Sequence, residues 1–62
     1  MEKITVGMTI RLVKEISGGA PVGSTATIIY IDEFDRVFID WTDGGQDSFT
    51  EQQLLGSFEI AA

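Results

Sequence analysis

A chain of 62 residues without cysteine or histidine is a single domain, residues 1–62, that buries only about 60% of its unfolded surface and has neither disulfide nor zinc to staple it. Hydrophobic residues at 44% and charged residues at 23% exclude a disordered chain. Ten acids against four basic residues, a formal charge of −6, disfavour a phosphate backbone as ligand.

No apolar run is long enough for a secretory leader or a membrane span, and the chain reads as cytoplasmic. Strand signals then follow one another, because β-branched and aromatic residues cluster in short runs separated by Gly, Pro, Asp and Ser. Residues 9–16 form the first, with Ile10 and Leu12 on one face and Arg11 and Val13 on the other. Residues 17–23 hold three glycines and the only proline, and form an exposed loop. Residues 25–32 and 36–41 pair as a hairpin if Asp32, Glu33, Phe34 and Asp35 make a four-residue turn. Tyr30 then faces Val37, Ile28 faces Ile39 and Ala26 faces Trp41, setting a small side chain against the largest on an apolar inner face. The other face pairs Ile29 with Phe38, Ile31 with Arg36 and Thr27 with Asp40.

Keeping Phe49 on the face of Ile39 and Trp41 needs an odd-length connection, since a slip of one residue would turn it to solvent. Asp43, Gly44 and Gly45 supply a three-residue turn with a left-handed glycine and a bulge. Thr50 is then a helix N-cap, with Gln53 at capping-box spacing, opening one short helical turn. Leu54 and Leu55 plug the end of a barrel from that turn, Gly56 ends it, and Phe58 and Ile60 give a last strand. Pairing of that strand with the first closes a small five-stranded all-β barrel without free edges.

Three segments carry a resemblance: Val6-Gly7-Met8-Thr9-Ile10-Arg11-Leu12, then Pro21-Val22-Gly23-Ser24-Thr25-Ala26-Thr27-Ile28, then Val37-Phe38-Ile39-Asp40-Trp41-Thr42-Asp43-Gly44-Gly45. The chain resembles small Src-homology-3-like and KOW-like barrels of prokaryotic, phage and plasmid proteins. Their pattern opens with G-x-x-V-x-L, continues with G-x-x-G-x-V and ends with a V-x-W-x-x-G hairpin. Ala26 stands where that pattern has its second glycine. The resemblance implies an architecture and leaves the ligand open, because such barrels serve many roles. Signalling domains of this fold stack Tyr and Trp on proline-rich peptides, and residues 17–23 hold no aromatic side chain for that purpose. Barrels of this kind that bind RNA carry basic loops, whereas two of the three main loops here are acidic.

With no His, no Cys and no Ser beside a candidate base, the parts for nucleophilic catalysis are missing, so no enzyme activity, cofactor or small-molecule substrate is expected. Asp32, Glu33 and Asp35 cluster at a hairpin tip, but acids in a solvated loop have no pocket to tune them. Together with Asp43 and Asp47 they offer oxygen ligands for weak, adventitious calcium at most, because the D-x-D-x-D-G order of a dedicated loop is lacking.

Trp41, opposite Ala26, reads as a core residue rather than a recognition anchor. The outer face of the central hairpin collects Ile29, Ile31 and Phe38, with Val13 beside them, Phe34 at the tip, and Asp35 and Asp40 at the rim. Either the loop of residues 17–23 covers this face or it is an apolar contact surface. The expected function is a small acidic, non-catalytic module that contacts another protein, or a second copy of itself, through Ile29, Ile31, Phe34, Phe38, Asp35 and Asp40. A rival from another class is a phage- or plasmid-borne inhibitor of a defence nuclease, its carboxylates imitating nucleic-acid phosphates. A third reading is an ancillary nucleic-acid barrel using Lys3, Arg11, Lys14 and Arg36, four cations outnumbered by the acids.

Overall fold

Five short strands and one helix make up the structure, a computed structural model that describes residues 4–16 and 20–61. The elements are β1 (Thr9–Leu12), β2 (Thr25–Ile31), β3 (Arg36–Trp41), β4 (Gln46–Thr50), α1 (Glu51–Ser57) and β5 (Phe58–Ile60). All five strands are antiparallel in one sheet, in the order β4-β3-β2-β1-β5. β1 is shorter than the sequence suggests. After Leu12 the chain leaves the ladder, and the N–H groups of Val13 and Lys14 both donate to the Ser57 carbonyl, at 2.8 and 3.2 Å.

The central hairpin departs from the expected register near its tip. The Asp32 N–H donates to the Arg36 carbonyl at 3.0 Å, so the turn holds three residues, Glu33, Phe34 and Asp35, and not four. Asp35 takes the left-handed position with a φ of 66°, and the Asp32 carboxylate accepts from the N–H groups of Phe34 (2.8 Å) and Arg36 (2.9 Å). A turn shorter by one residue moves Ile31 opposite Val37 and Tyr30 opposite Phe38, while Ala26, Thr27 and Ile28 keep Trp41, Asp40 and Ile39 as partners. A β-bulge between Ile28 and Tyr30 absorbs the difference.

The expected pairs Tyr30–Val37, Ile29–Phe38 and Ile31–Arg36 are therefore not formed, and two neighbours exchange faces. Ile31 packs against the core and Tyr30 turns outward. The exchange is physically favourable, because a buried phenol would need a hydrogen-bond partner that an all-apolar core does not provide, whereas an isoleucine needs none.

The second hairpin follows the expected logic with its turn one residue earlier. The Gly44 N–H donates to the Trp41 carbonyl and the Trp41 N–H to the Gly45 carbonyl, both at 2.9 Å, so Thr42, Asp43 and Gly44 form the loop. Gly44 supplies the left-handed backbone with a φ of 108°. The odd count sets Phe49 opposite Val37 and Asp47 opposite Ile39, which keeps Phe49 on the core side.

Thr50 caps α1 as its spacing predicts: its hydroxyl accepts from the Gln53 N–H and the Gln53 side chain accepts from the Thr50 N–H, each at 3.1 Å. The helix runs through Gly56 to Ser57, longer than a single turn, and it presents its two leucines differently. Leu54 is buried in the core; Leu55 is exposed.

The core gathers Ile10 and Leu12 from β1, Ala26 and Ile28 from β2, Val37, Ile39 and Trp41 from β3, Leu54, Phe58, and Ile4 from the segment before β1. Full burial of an aliphatic side chain of this kind stabilises by about 2 kcal/mol relative to exposure. Gly7 ties the segment before β1 to β2. With a φ of 98° it turns the chain so that its N–H reaches the Ile28 carbonyl at 2.7 Å. β4 and β5 end the strand order, and no backbone ladder joins them among the described residues. Side chains meet there instead, with the rings of Phe49 and Phe58 5.5 Å apart and those of Trp41 and Phe58 5.8 Å apart, so the sheet is strongly curled. No helix among the described residues is long and apolar enough to cross a membrane.

Candidate protein-binding surface

On the solvent side of β2 and β3 the bulge leaves an aromatic pair. Tyr30 and Phe38 sit opposite each other with ring centroids 5.7 Å apart and planes tilted by 45°. Tyr30 is 57% exposed, and Ile29, the extra residue of the bulge, is 40% exposed beside it. Alternation along β3 puts Arg36 and Asp40 on the same face as Phe38, one on either side. The Arg36 guanidinium donates to the Ser48 hydroxyl at 3.3 Å. The face thus offers an apolar centre flanked by one charge of each sign.

Of the residues singled out from sequence, Ile29, Phe38 and Asp40 belong to this surface and Ile31 does not. Tyr30, which the sequence pattern places in the interior, takes the place of Ile31 on this face. Val13 lies past the end of β1, outside the ladder, and is exposed. Cover from the loop of residues 17–23 falls in part on 17–19, outside the described residues; Ala20, from its described part, packs on the core.

Phe34 and Asp35 build a second feature at the tip of the central hairpin. The Glu51 N–H, first in α1, donates to the Asp35 carbonyl at 2.9 Å and joins the tip to the helix. A groove of about 490 Å³ lies between them, lined by Phe34, Asp35, Thr50, Glu51, Gln52 and Leu55. Phe34 is 82% exposed and Leu55 46% exposed. Sequence reasoning did not find this groove, because its walls come from separate segments and only the backbone tie between Asp35 and Glu51 brings them together.

The acids do not converge. Asp32, Glu33 and Asp35 lie at one end of β3 and Asp43 at the other, about 20 Å apart for a six-residue strand. Asp47 is not a loop acid at all: it sits on the inner side of β4, where its carboxylate accepts the Trp41 indole N–H at 2.8 Å. Glu59 forms an ion pair with Arg11 across β5 and β1. Among the described residues no group of three acids is arranged to hold a metal ion, so the oxygen ligands that the sequence offered to calcium are distributed over separate places.

The described core contains no polar or charged residue. Comparisons with protein-family models, with curated proteins and with solved structures find no match.

Proposed function

We propose that this chain is a Src-homology-3-like barrel acting in the cytoplasm as a non-catalytic module that contacts another protein through Ile29, Tyr30 and Phe38. Support for the barrel comes from β2 being shared between β1 and β3, from the helix placed between β4 and β5, and from the Phe49–Phe58 contact that draws the two end strands together. The observation that carries the functional reading is the Tyr30–Phe38 pair on the solvent side of the sheet. A large aromatic group with a polar tip, exposed beside apolar neighbours and rimmed by charge, has the anatomy of an interface centre.

The phosphate-imitating reading has less support. Mimicry needs acids along one face, whereas Asp43 is remote from the tip acids, Asp47 holds an indole and Glu59 pairs with Arg11. The ancillary nucleic-acid reading is weakened in the same way, since Arg11 is already paired and Lys3 lies outside the described residues.

Affinity capture from the cells that make the protein, with the wild-type chain and Tyr30→Asp as baits, tests the proposal. Tyr30→Asp is expected to keep its circular-dichroism spectrum and lose the captured partner. Equal capture by both baits, with equal mass of both in light scattering, would remove the proposal. A wild-type mass twice that of the variant would identify a second copy as the partner.

A further inference from the structure

The groove between the central hairpin tip and α1 has an unusual combination of walls. Phe34, the most exposed of the large apolar side chains described, stands on one side, and Leu55 stands on the other. The backbone beneath Phe34 is pinned. The Asp32 carboxylate holds the N–H groups of Phe34 and Arg36, and Asp35 is tied to the start of α1. An apolar ring held open to water on a fixed turn loses little conformational freedom when it is covered.

Both charged side chains that line the groove, Asp35 and Glu51, are carboxylates, in a chain of net charge −6. The volume of about 490 Å³ suits one or two side chains rather than a folded surface. From the apolar walls and the charge of the rim, we propose that this groove takes a short basic segment of a partner protein: an apolar side chain seated between Phe34 and Leu55, with a neighbouring Lys or Arg at Asp35 and Glu51. Complementary charge selects the cation, and the apolar contact distinguishes this segment from any polycation. The inference rests on the binding-module reading but concerns a surface separate from the Tyr30–Phe38 face, so failure of one is distinguishable from failure of the other.

The test is a titration of the isotope-labelled full chain, followed by amide chemical shifts, with three short capped peptides. The first has a Leu-Phe centre flanked by lysines, the second replaces the lysines with glutamates, and the third replaces Leu-Phe with Ala-Ala. The lysine peptide is expected to shift the amides of Phe34, Asp35, Glu51, Gln52 and Leu55. Binding should weaken about tenfold for the alanine peptide and for Phe34→Ser, as for loss of an interface anchor. The glutamate peptide should not bind, and about 0.5 M salt should weaken the lysine peptide. Equal binding of the alanine peptide, no effect of Phe34→Ser in a variant whose other amides are unmoved, shifts elsewhere on the molecule, or no shifts at millimolar peptide would each overturn the proposal. Concentration-dependent shifts of the groove without peptide would assign it to a second copy and overturn it as well. Capture lost on Tyr30→Asp would stand through any of these results.

Discussion

Asp35 holds a φ of 66°, a conformation in which a side chain costs about 1–2 kcal/mol unless it is glycine or a short polar residue able to bond locally. Asp35→Val is therefore expected to lower stability by about 1–2 kcal/mol, while Asp35→Gly should change it by no more than about 0.5 kcal/mol. Urea unfolding of the two variants checks the difference between them. A second residue-scale prediction concerns Asp47. Its carboxylate is the partner of the Trp41 indole N–H, which is part-buried, so Asp47→Ala should cost about 1.5 kcal/mol and Asp47→Asn clearly less. An equal loss in both variants would show that the negative charge, and not the acceptor oxygen, matters there.

At the scale of elements, α1 separates two adjacent leucines by its rotation. Leu54→Ala removes a fully buried side chain and should cost about 3 kcal/mol, whereas Leu55→Ala should stay within about 0.5 kcal/mol. Thermal melts of the pair read this directly. The same element shows what a sequence makes legible. Thr50 and Gln53 announce the cap because the spacing is itself the mechanism, and alternation places Ile28, Ile39 and Trp41 inside because their outer neighbours Thr27 and Asp40 are polar. Alternation stops being informative at Ile28, Ile29, Tyr30 and Ile31, four apolar residues in a row, where either parity is acceptable. The deciding signal lay in the turn. Asp32 to Asp35 contains no glycine to mark a left-handed position, so a three-residue loop closed by Asp35 could not be told from a four-residue one. That single residue moved Ile31 inward and Tyr30 outward, so one residue of the predicted contact surface gave way to its neighbour. The Phe34–Leu55 groove was out of reach for a different reason, since no periodicity relates a hairpin tip to a helix face.

For the molecule as a whole, the bulge in β2 decides which side chains near the hairpin tip face the core and which face solvent. The described core is wholly apolar, and the two exposed apolar features lie on separate surfaces, one neutral in balance and one acidic. A small domain of this kind has little stability to spare, so each 1 kcal/mol lost lowers the melting temperature by roughly 4–8 °C. Thermal unfolding of Tyr30→Asp beside Ile31→Asp is the most direct test of that division. A charge at position 30 meets water and removes one aromatic contact, a loss of about 1 kcal/mol. At position 31 it enters the space against Val37 and the core, a loss of about 3 kcal/mol or more. The expected result is a folded Tyr30→Asp melting within several degrees of wild type and an Ile31→Asp that is largely unfolded; a stable Ile31→Asp with an unfolded Tyr30→Asp would contradict the register, and with it the surface built on Tyr30 and Phe38.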